Sequence, residues 1–459
     1  MKIRGDEDEG GVADNLNPRQ LSAGVEIVFA NSERLGDFQT DPLETSTDNL
    51  IGQNLATTTC RQQDFPTGDY AKYSSMSCVE LLELFLTTDF FNKIISETRV
   101  YALFKNDSDP NLTVPDLKVF ISILLLSGYN QLPSKRSYWE NSSDMKNILV
   151  SEAMRRDRFL QICRLIHFAD NNNIDKNDKM YKLRPITDML KKSFLEHFIP
   201  EQNLAYDESM IRYFGHHSCK QFIRGKPVRF RYKVWCLNTP SGYLINFEVY
   251  QGKNPRSNQE YEGYFGKATA PLVQMIEELG EKRLFRYNFF VDNLFTSKNL
   301  MSTLKTNGYG TTGTIRENRI PRTCPLVTKK TMEKRERGDY LSTLDKEIGI
   351  LYVRWKDNKV VTIGSTCFGV EPIRNVDRFS KKESKTVAVP RPYLISQYNK
   401  SMGGTDQMDN NISCYRIGIR KKSRKNISQL EFRRNICQVL SIANIGISDA
   451  MNLDITVIV

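Results

Sequence analysis

Residues 203–211 read NLAYDESMI, a strand pattern with one misplaced residue. Asp207 sits inside an otherwise apolar run, where aspartate is disfavoured and costly to bury unpaired. Working outward, residues 230–237 and 243–250 read as two further strands joined by the turn-like Asn238-Thr239-Pro240-Ser241-Gly242. A helix follows with Leu272, Met275, Ile276 and Leu279 on one face, then a strand over 286–291, a helix near 297–304 and a short strand over 309–314. The order is βββ-α-β-α-β. Three antiparallel strands followed by αβ crossovers give a mixed five-stranded sheet with helices on its faces.

This is the element order of an RNase H-like α/β core, and it gives the acids a meaning. Asp292 comes immediately after Phe289-Phe290-Val291. In this order strands one and four are central neighbours, so Asp207 and Asp292 come side by side although 85 residues separate them. Asp406, on a helix after the fifth strand, is the best third acid. Each aspartate taken singly reads as a turn, cap or surface acid; the three in this order read as a cluster. Clustered carboxylates repel, so they protonate or share cations. Hard oxygen ligands suit Mg²⁺, with Mn²⁺ as the alternative. Two such ions about 4 Å apart activate an attacking oxygen and stabilise a leaving one. No catalytic histidine is needed, consistent with four His in the chain.

The flanking regions divide the 459 residues further. Residues 1–75 hold 13 acids and 6 bases and lack periodicity, which predicts a mostly disordered segment. Residues 76–200 read as a helical domain. Thr113 caps a helix carrying Pro115 in its first turn and Leu117, Phe120, Ile121, Leu124 and Leu125 as its stripe. A second helix, starting near Ser151, buries Phe159, Ile162, Cys163 and Ile166 and presents Arg155, Arg156, Arg158 and Arg164, either to solvent or to phosphate. A third covers 186–198. The first part of the core spans 201–318, a β-rich insertion 319–392 with a hairpin across residues 356–359, the third-aspartate helix 393–412 with Thr405 as its cap and Asp406 and Asp409 in its first turn, and a basic helical segment 413–459.

Charge and cysteines bound the function. With −7 on the first 75 residues, the net +11 leaves +18 on the remaining 384, a balance that points to a polyanion such as nucleic acid, although lysine-rich surfaces also serve solubility. The DNA-facing candidates are the acid-free run Lys220, Arg224, Lys226, Arg229 and Arg231, interleaved with Phe222 and Phe230, and the run 416–425 with Arg420, Lys421 and Lys422. The second run reads as DNA contact, nuclear import signal or solvated helix face; its place after the third aspartate favours DNA. The nine cysteines contain no C-x-x-C and lie no closer than 17 residues, so no structural zinc is expected, and free thiols in a reducing compartment are. No apolar run approaches the roughly 20 residues of a membrane helix, and the acidic start is unlike a signal peptide, so a soluble chain without a membrane partner is expected. Glycines 308, 310 and 313 lack the Lys-Ser/Thr of a phosphate loop and read as turn glycines.

Several blocks resemble piggyBac-type transposases and the transposable element-derived proteins related to them: LPSKRSYW at 132–139, RDRFLQICRLIHFADN at 156–171, YKLRP at 181–185, DESMIRYFG at 207–215, GYLINFEVYQGK at 242–253, VDNLFTSKNLMSTL at 291–304, GTIRENR at 313–319 and YNKSMGGTDQMD at 398–409. So many blocks in one order, across residues 78–426, make the match specific. The resemblance implies an RNase H-like core split by a β-rich insertion and flanked by a helical DNA-binding and dimerisation region. It also implies cut-and-paste transposition of double-stranded DNA at TTAA sites through hairpinned ends, with Mg²⁺. Carried over by position, the catalytic aspartates fall on Asp207, Asp292 and Asp406, with Asp409 as a further metal-side acid. Arg316 and Arg319, in the block after the second aspartate, join the DNA-contact candidates. A homodimer and a nuclear location are the matching expectations. Glu208 adjoins the first aspartate, but strand alternation turns it to the other side of the sheet.

The chain also departs from the pattern. Gly215-His216-His217 stands where a basic residue is common, and two consecutive strand histidines face opposite ways, which argues against a shared ion. Thr405 stands where valine is usual. Ser423-Arg424-Lys425-Asn426-Ile427 replaces a tryptophan-bearing segment, and the sequence reaches Val459 without a Cys/His-rich zinc domain. A shortened or diverged copy is expected from these features, and the alternative function is a DNA-binding protein without catalysis.

Overall fold

The structure, a computed structural model, describes residues 64–67, 71–212, 217–222, 230–381 and 383–414. The expectations for the acidic segment up to residue 63, for His216, for Arg224, Lys226 and Arg229, and for the basic run 416–425 with Arg420, Lys421 and Lys422 lie outside the described residues.

Among the described residues, six principal helices precede the sheet: α1 (Cys78–Phe85), α2 (Thr88–Phe104), α3 (Val114–Tyr129), α4 (Ile148–Ala153), α5 (Arg156–Leu165) and α6 (Arg184–His197). Thr113 caps α3 as its sequence predicts, and Asp116 returns a bond to the Thr113 N–H, closing a capping box. The predicted stripe of α3 is buried, but so are Ser122, Ile123, Leu126 and Ser127. This helix is therefore the hub of its neighbours and has little free face. The helix expected to start near Ser151 is two helices, α4 and α5, because Met154 and Arg155 are extended.

Two arginines of α5 are paired within the protein, whereas Arg155 and Arg156 remain exposed. Arg158 donates to Asp116 at 2.7 Å and to the carbonyls of Pro110 and Asn111, and Arg164 pairs with Asp107 at 2.9 Å. Arg158 and Arg164 tie α5 to the loop before α3 and to its first turn, a role that neither reading of this face foresees; Arg155 and Arg156 face solvent.

The sheet contains β1 (Asn203–Arg212), β2 (Gln221–Phe222), β3 (Phe230–Asn238), β4 (Leu244–Val249), β5 (Asn288–Val291), β6 (Gly310–Thr314), β7 (Tyr340–Asp345), β8 (Ile350–Lys356) and β9 (Val360–Ser365). Its order is β2-β3-β1-β5-β6-β9-β8-β7, with β4 on β3. β1, β3 and β4 are antiparallel neighbours, whereas β1, β5 and β6 run parallel. The mixed RNase H-like core read from the sequence is present, with strand one beside strand four.

The sheet is longer than the sequence predicts. β9 pairs antiparallel with β6, Thr312 facing Ser365, so β7–β9 extend the core sheet to nine strands among the described residues. The physical reason is the open edge of β6, whose backbone donors and acceptors need partners. The hairpin β10 (Arg374–Ser380) and β11 (Lys385–Arg391) forms a separate sheet.

Two apolar layers clasp the core. On one face, α7 (Gln259–Phe265), α8 (Ala270–Glu278) and α9 (Lys298–Thr306) pack over Tyr206, Trp235, Leu237, Phe289 and Val291. On the other, Val234, Cys236 and Phe247 join the core of the leading helices with Met408 and Ile412. The last two belong to α12 (Gly404–Cys414), which follows a short α10 (Lys329–Glu333) and α11 (Tyr393–Ser401).

Candidate active site

Asp207 and Asp292 arrive together by strand register. Tyr206 pairs with Val291 in the parallel β1–β5 ladder, and each aspartate is the next residue along. Neighbouring strands lie about 4.8 Å apart. The Asp292 carboxylate accepts the Leu294 N–H at 2.6 Å, and its carbonyl accepts the N–H groups of Phe295 and Thr296, so a tight turn fixes it at the end of β5. Gly313 on β6 permits that turn: a Cβ there would meet Thr296 Oγ1 at 2.3 Å. Thus Gly310 and Gly313 lie within a strand rather than in turns, whereas Gly308 is a turn glycine with φ of 82°.

The third acid comes from α12, packed across β1 and β3. Its start is seated in a socket formed by the β3–β4 turn. Thr405 is buried and donates to Asn238 Oδ1 at 2.9 Å; Asn238 Nδ2 in turn reaches Met408 Sδ at 3.4 Å. Gly404 lies so close that a Cβ would meet the Thr239 carbonyl at 2.3 Å. Thr405 is therefore a docking residue inside the helix, not its cap, because its hydroxyl is drawn to a buried partner across the interface. Asp406 lies in the first turn with an exposed side chain, whereas Asp409 lies a turn further on, partly buried, and accepts from Ser209 Oγ at 2.7 Å.

The electrostatics are those of crowded acids. Burial, then the charge of Asp292, and further the charges of Glu208 and Asp406, hold the Asp207 carboxyl well above the usual carboxylate range; the Glu208 N–H opposes this at 2.8 Å. Burial pushes Asp292 up to about 6, with Leu294 N–H, Arg316 and Lys233 pulling down and Glu208 pushing up. Partial desolvation beside the sheet also raises Asp406, although its side chain reaches solvent. Glu208 pairs with Lys233 at 3.2 Å, and both belong to the sheet face opposite Asp207, as alternation predicts. Its charge nevertheless reaches Asp292, an influence the alternation argument overlooks.

Tyr398 of α11 is a neighbour that sequence reasoning passed over. Its phenol lies 3.5 Å from Thr314 Oγ1, and burial, then the charges of Asp292 and Asp207, keep it protonated. Ser209 and Asn238 were likewise unmarked; each acts through a partner some 170 to 200 residues away, which no local pattern reveals.

The remaining candidates are scattered. Arg316 is exposed and donates to Asn293 Oδ1 at 2.9 Å. Arg319 donates to the carbonyls of Asn293, Leu294 and Thr296, so it braces the loop after Asp292. Lys220 lies over the Phe230 ring, and Arg231 sits on β3 beside Gln221, both far along the strand from Asp207. His217 accepts the Cys219 N–H and packs against Tyr232.

Carboxylate oxygens from three elements are the donor type that a hard divalent cation takes, but their spacing here is not that of a formed site. Among the described residues, no three His, Cys, Asp or Glu side chains are grouped closely enough to hold a metal ion.

A second acid cluster is built differently. Arg184 of α6 donates to Asp178 at 2.7 Å and to Glu248 at 2.8 Å, and Lys191 pairs with the other Glu248 oxygen at 2.9 Å. Burial alone would raise both acids, but these cations win and hold them below the usual range.

A mixed RNase H-like sheet with acids at its centre and a docked acid-bearing helix places the molecule in the class of transposase-like folds. The Transposase IS4 family profile matches residues 77–439, and the chain belongs to that family, in its piggyBac-type branch. It is 42% identical over 344 residues to the human piggyBac transposable element-derived protein 3, covering 75% of this chain and 57% of that protein. It is 39% identical over 352 residues to human piggyBac transposable element-derived protein 2, covering 76% of this chain and 58% of that one. The chain thus spans a little over half the length of these relatives. A cryo-EM structure of the piggyBac transposase synaptic complex with hairpin DNA shares the fold, with a TM-score of 0.63 at 20% identity, covering 86% of this chain and 81% of that one.

Proposed function

We propose that the chain performs divalent-metal-dependent strand cleavage and transfer on double-stranded DNA, with Asp207, Asp292 and Asp406 as the catalytic acids and Asp409 beside them. The observation that carries this reading is the β1–β5 register that sets Asp207 beside Asp292, with the Asp406-bearing helix packed across β1; the repulsion this creates at Asp207 agrees with it. A fold that leaves such repulsion in place gains most from a cation supplied from outside. With Asp406 drawn closer to Asp207 and Asp292, the three would hold Mg²⁺ or Mn²⁺, whose chemistry would be to activate an attacking oxygen and offset charge on the leaving one. The chain's own part is to fix the acids: the turn at Asp292, the Asn238–Thr405 socket and the Ser209–Asp409 bond set their positions. TTAA-flanked ends as substrate, a homodimer as the working unit and a nuclear location complete the proposal.

A second reading, DNA binding without catalysis, draws on the absence of a closely grouped metal-binding trio among the described residues and on the names of the relatives, which are transposable element-derived proteins. Incubation of the full chain with a TTAA-flanked duplex in Mg²⁺ separates the two. Cleavage is expected, falling to background in Asp207→Ala, Asp292→Ala and Asp406→Ala. Salt-sensitive DNA binding that all three variants retain, with no cleavage by the parent chain, supports the second reading.

A further inference from the structure

Phe222 and Phe230 are 57% and 44% exposed, an unusual state for two rings side by side. They face each other directly across the β2–β3 ladder, with centroids 5.2 Å apart and planes tilted by 58°. Lys220 Nζ stands 4.3 Å from the centroid of Phe230. Along β3, residues 230, 232, 234 and 236 share one side of the sheet, and Cys236 pairs with Asp207. The two rings therefore lie on the Asp207 side, six strand residues away, a reach of about 20 Å.

We propose that this aromatic pair is a stacking site for an unpaired base of the DNA substrate, a claim that rests on the DNA reading above. A flat apolar ring with water on its face gains most from another flat π surface. The ammonium over Phe230 occupies one partner, which leaves the more exposed Phe222 to receive the base, while Phe230 backs it and the Lys220 charge meets the adjoining phosphate. In a paired duplex the bases already stack on one another. The ligand is therefore a base released from pairing, at an overhang, gap or opened end, held some 20 Å along β3 from the acids.

The test uses the full chain and two DNAs of equal length, one fully paired and one ending in an unpaired overhang that carries 2-aminopurine. The expected result is tighter binding of the overhang DNA with quenching of its fluorescence. Phe222→Ser is expected to abolish the quenching and weaken overhang binding about tenfold, with less than twofold change for the paired DNA. Phe222→Trp is expected to keep both signals, and because the ring is exposed, both variants should melt at the parent temperature. Equal loss on the two DNAs, no loss on either, or sedimentation showing that Phe222→Ser only splits a dimer would each overturn the stacking site. Parent protein that binds the paired DNA without preferring the overhang overturns this inference alone; parent protein that binds neither DNA overturns the DNA reading beneath it.

Discussion

Two groups of carboxylates lie in this fold and are treated in opposite ways. Asp178 and Glu248 are buried against Arg184 and Lys191 and held below the usual acid range. Asp207 and Asp292 share a sheet with Glu248 and are pushed above it. The first group is closed: every charge has its counter-charge inside the chain. The second is open, and Lys233 and Arg316 only moderate it. Burial of an acid does not by itself mark a reactive centre; crowding by further acids without an internal counter-charge is what makes Asp207 and Asp292 candidates.

The largest effect comes from opening the closed group. Arg184→Met is expected to leave Asp178 and Glu248 buried without their main cation and to cost about 3–5 kcal/mol in urea unfolding. A loss no greater than that of a surface substitution would erase the contrast. The opposite sign is expected at the open group. Asp207→Asn removes the repelled charge, so at pH 8 in EDTA the variant should melt above the parent. Added Mg²⁺ should stabilise the parent and leave the variant unmoved.

Titration sharpens the same point. The folded value of Asp292, about 6, lies above its ordinary 3.8, so its contribution to stability is complete below 3.8 and lost as pH rises through about 6. Glu248 is depressed from 4.5, so its contribution is present above 4.5 and lost as pH falls through its folded value. Asp292→Asn should therefore flatten the decline of the metal-free chain between pH 4 and 6 and leave the acid-side loss in place, as read by thermal melts.

The smallest effect belongs to the neutral docking of α12. Thr405→Val strips the donor from Asn238 and is expected to cost about 1 kcal/mol at every pH. Thermal melts at pH 5 and pH 8 would check that the cost does not vary.

The parts of the fold coded by short-range periodicity were legible in the sequence. The apolar run around Asp207, the Thr113 cap and the strand ending at Val291 each declare themselves within a few residues, and the βββ-α-β-α-β order then brings Asp207 beside Asp292. What was not legible depends on partners remote in the chain. Nothing near Ser365 announces that it will pair with Thr312, so the insertion read as a separate unit. The pairing of Arg158 and Arg164 was hidden because Asp116 and Asp107 lie some 40 to 60 residues earlier. Thr405 read as a cap because its acceptor, Asn238, is 167 residues away. Glu208 does face the other side of the sheet, but its field does not stop at the sheet plane.

The pairing of β6 with β9 has a practical consequence for anyone shortening this protein. Excision of residues 319–392 looks harmless on paper, since both cut ends fall outside the central five strands. It would strip β6 of one neighbour and leave a row of bare amides and carbonyls one strand away from Asp292. Such a trimmed chain would stick to its own copies through that raw border and come out of the cell as inclusion bodies.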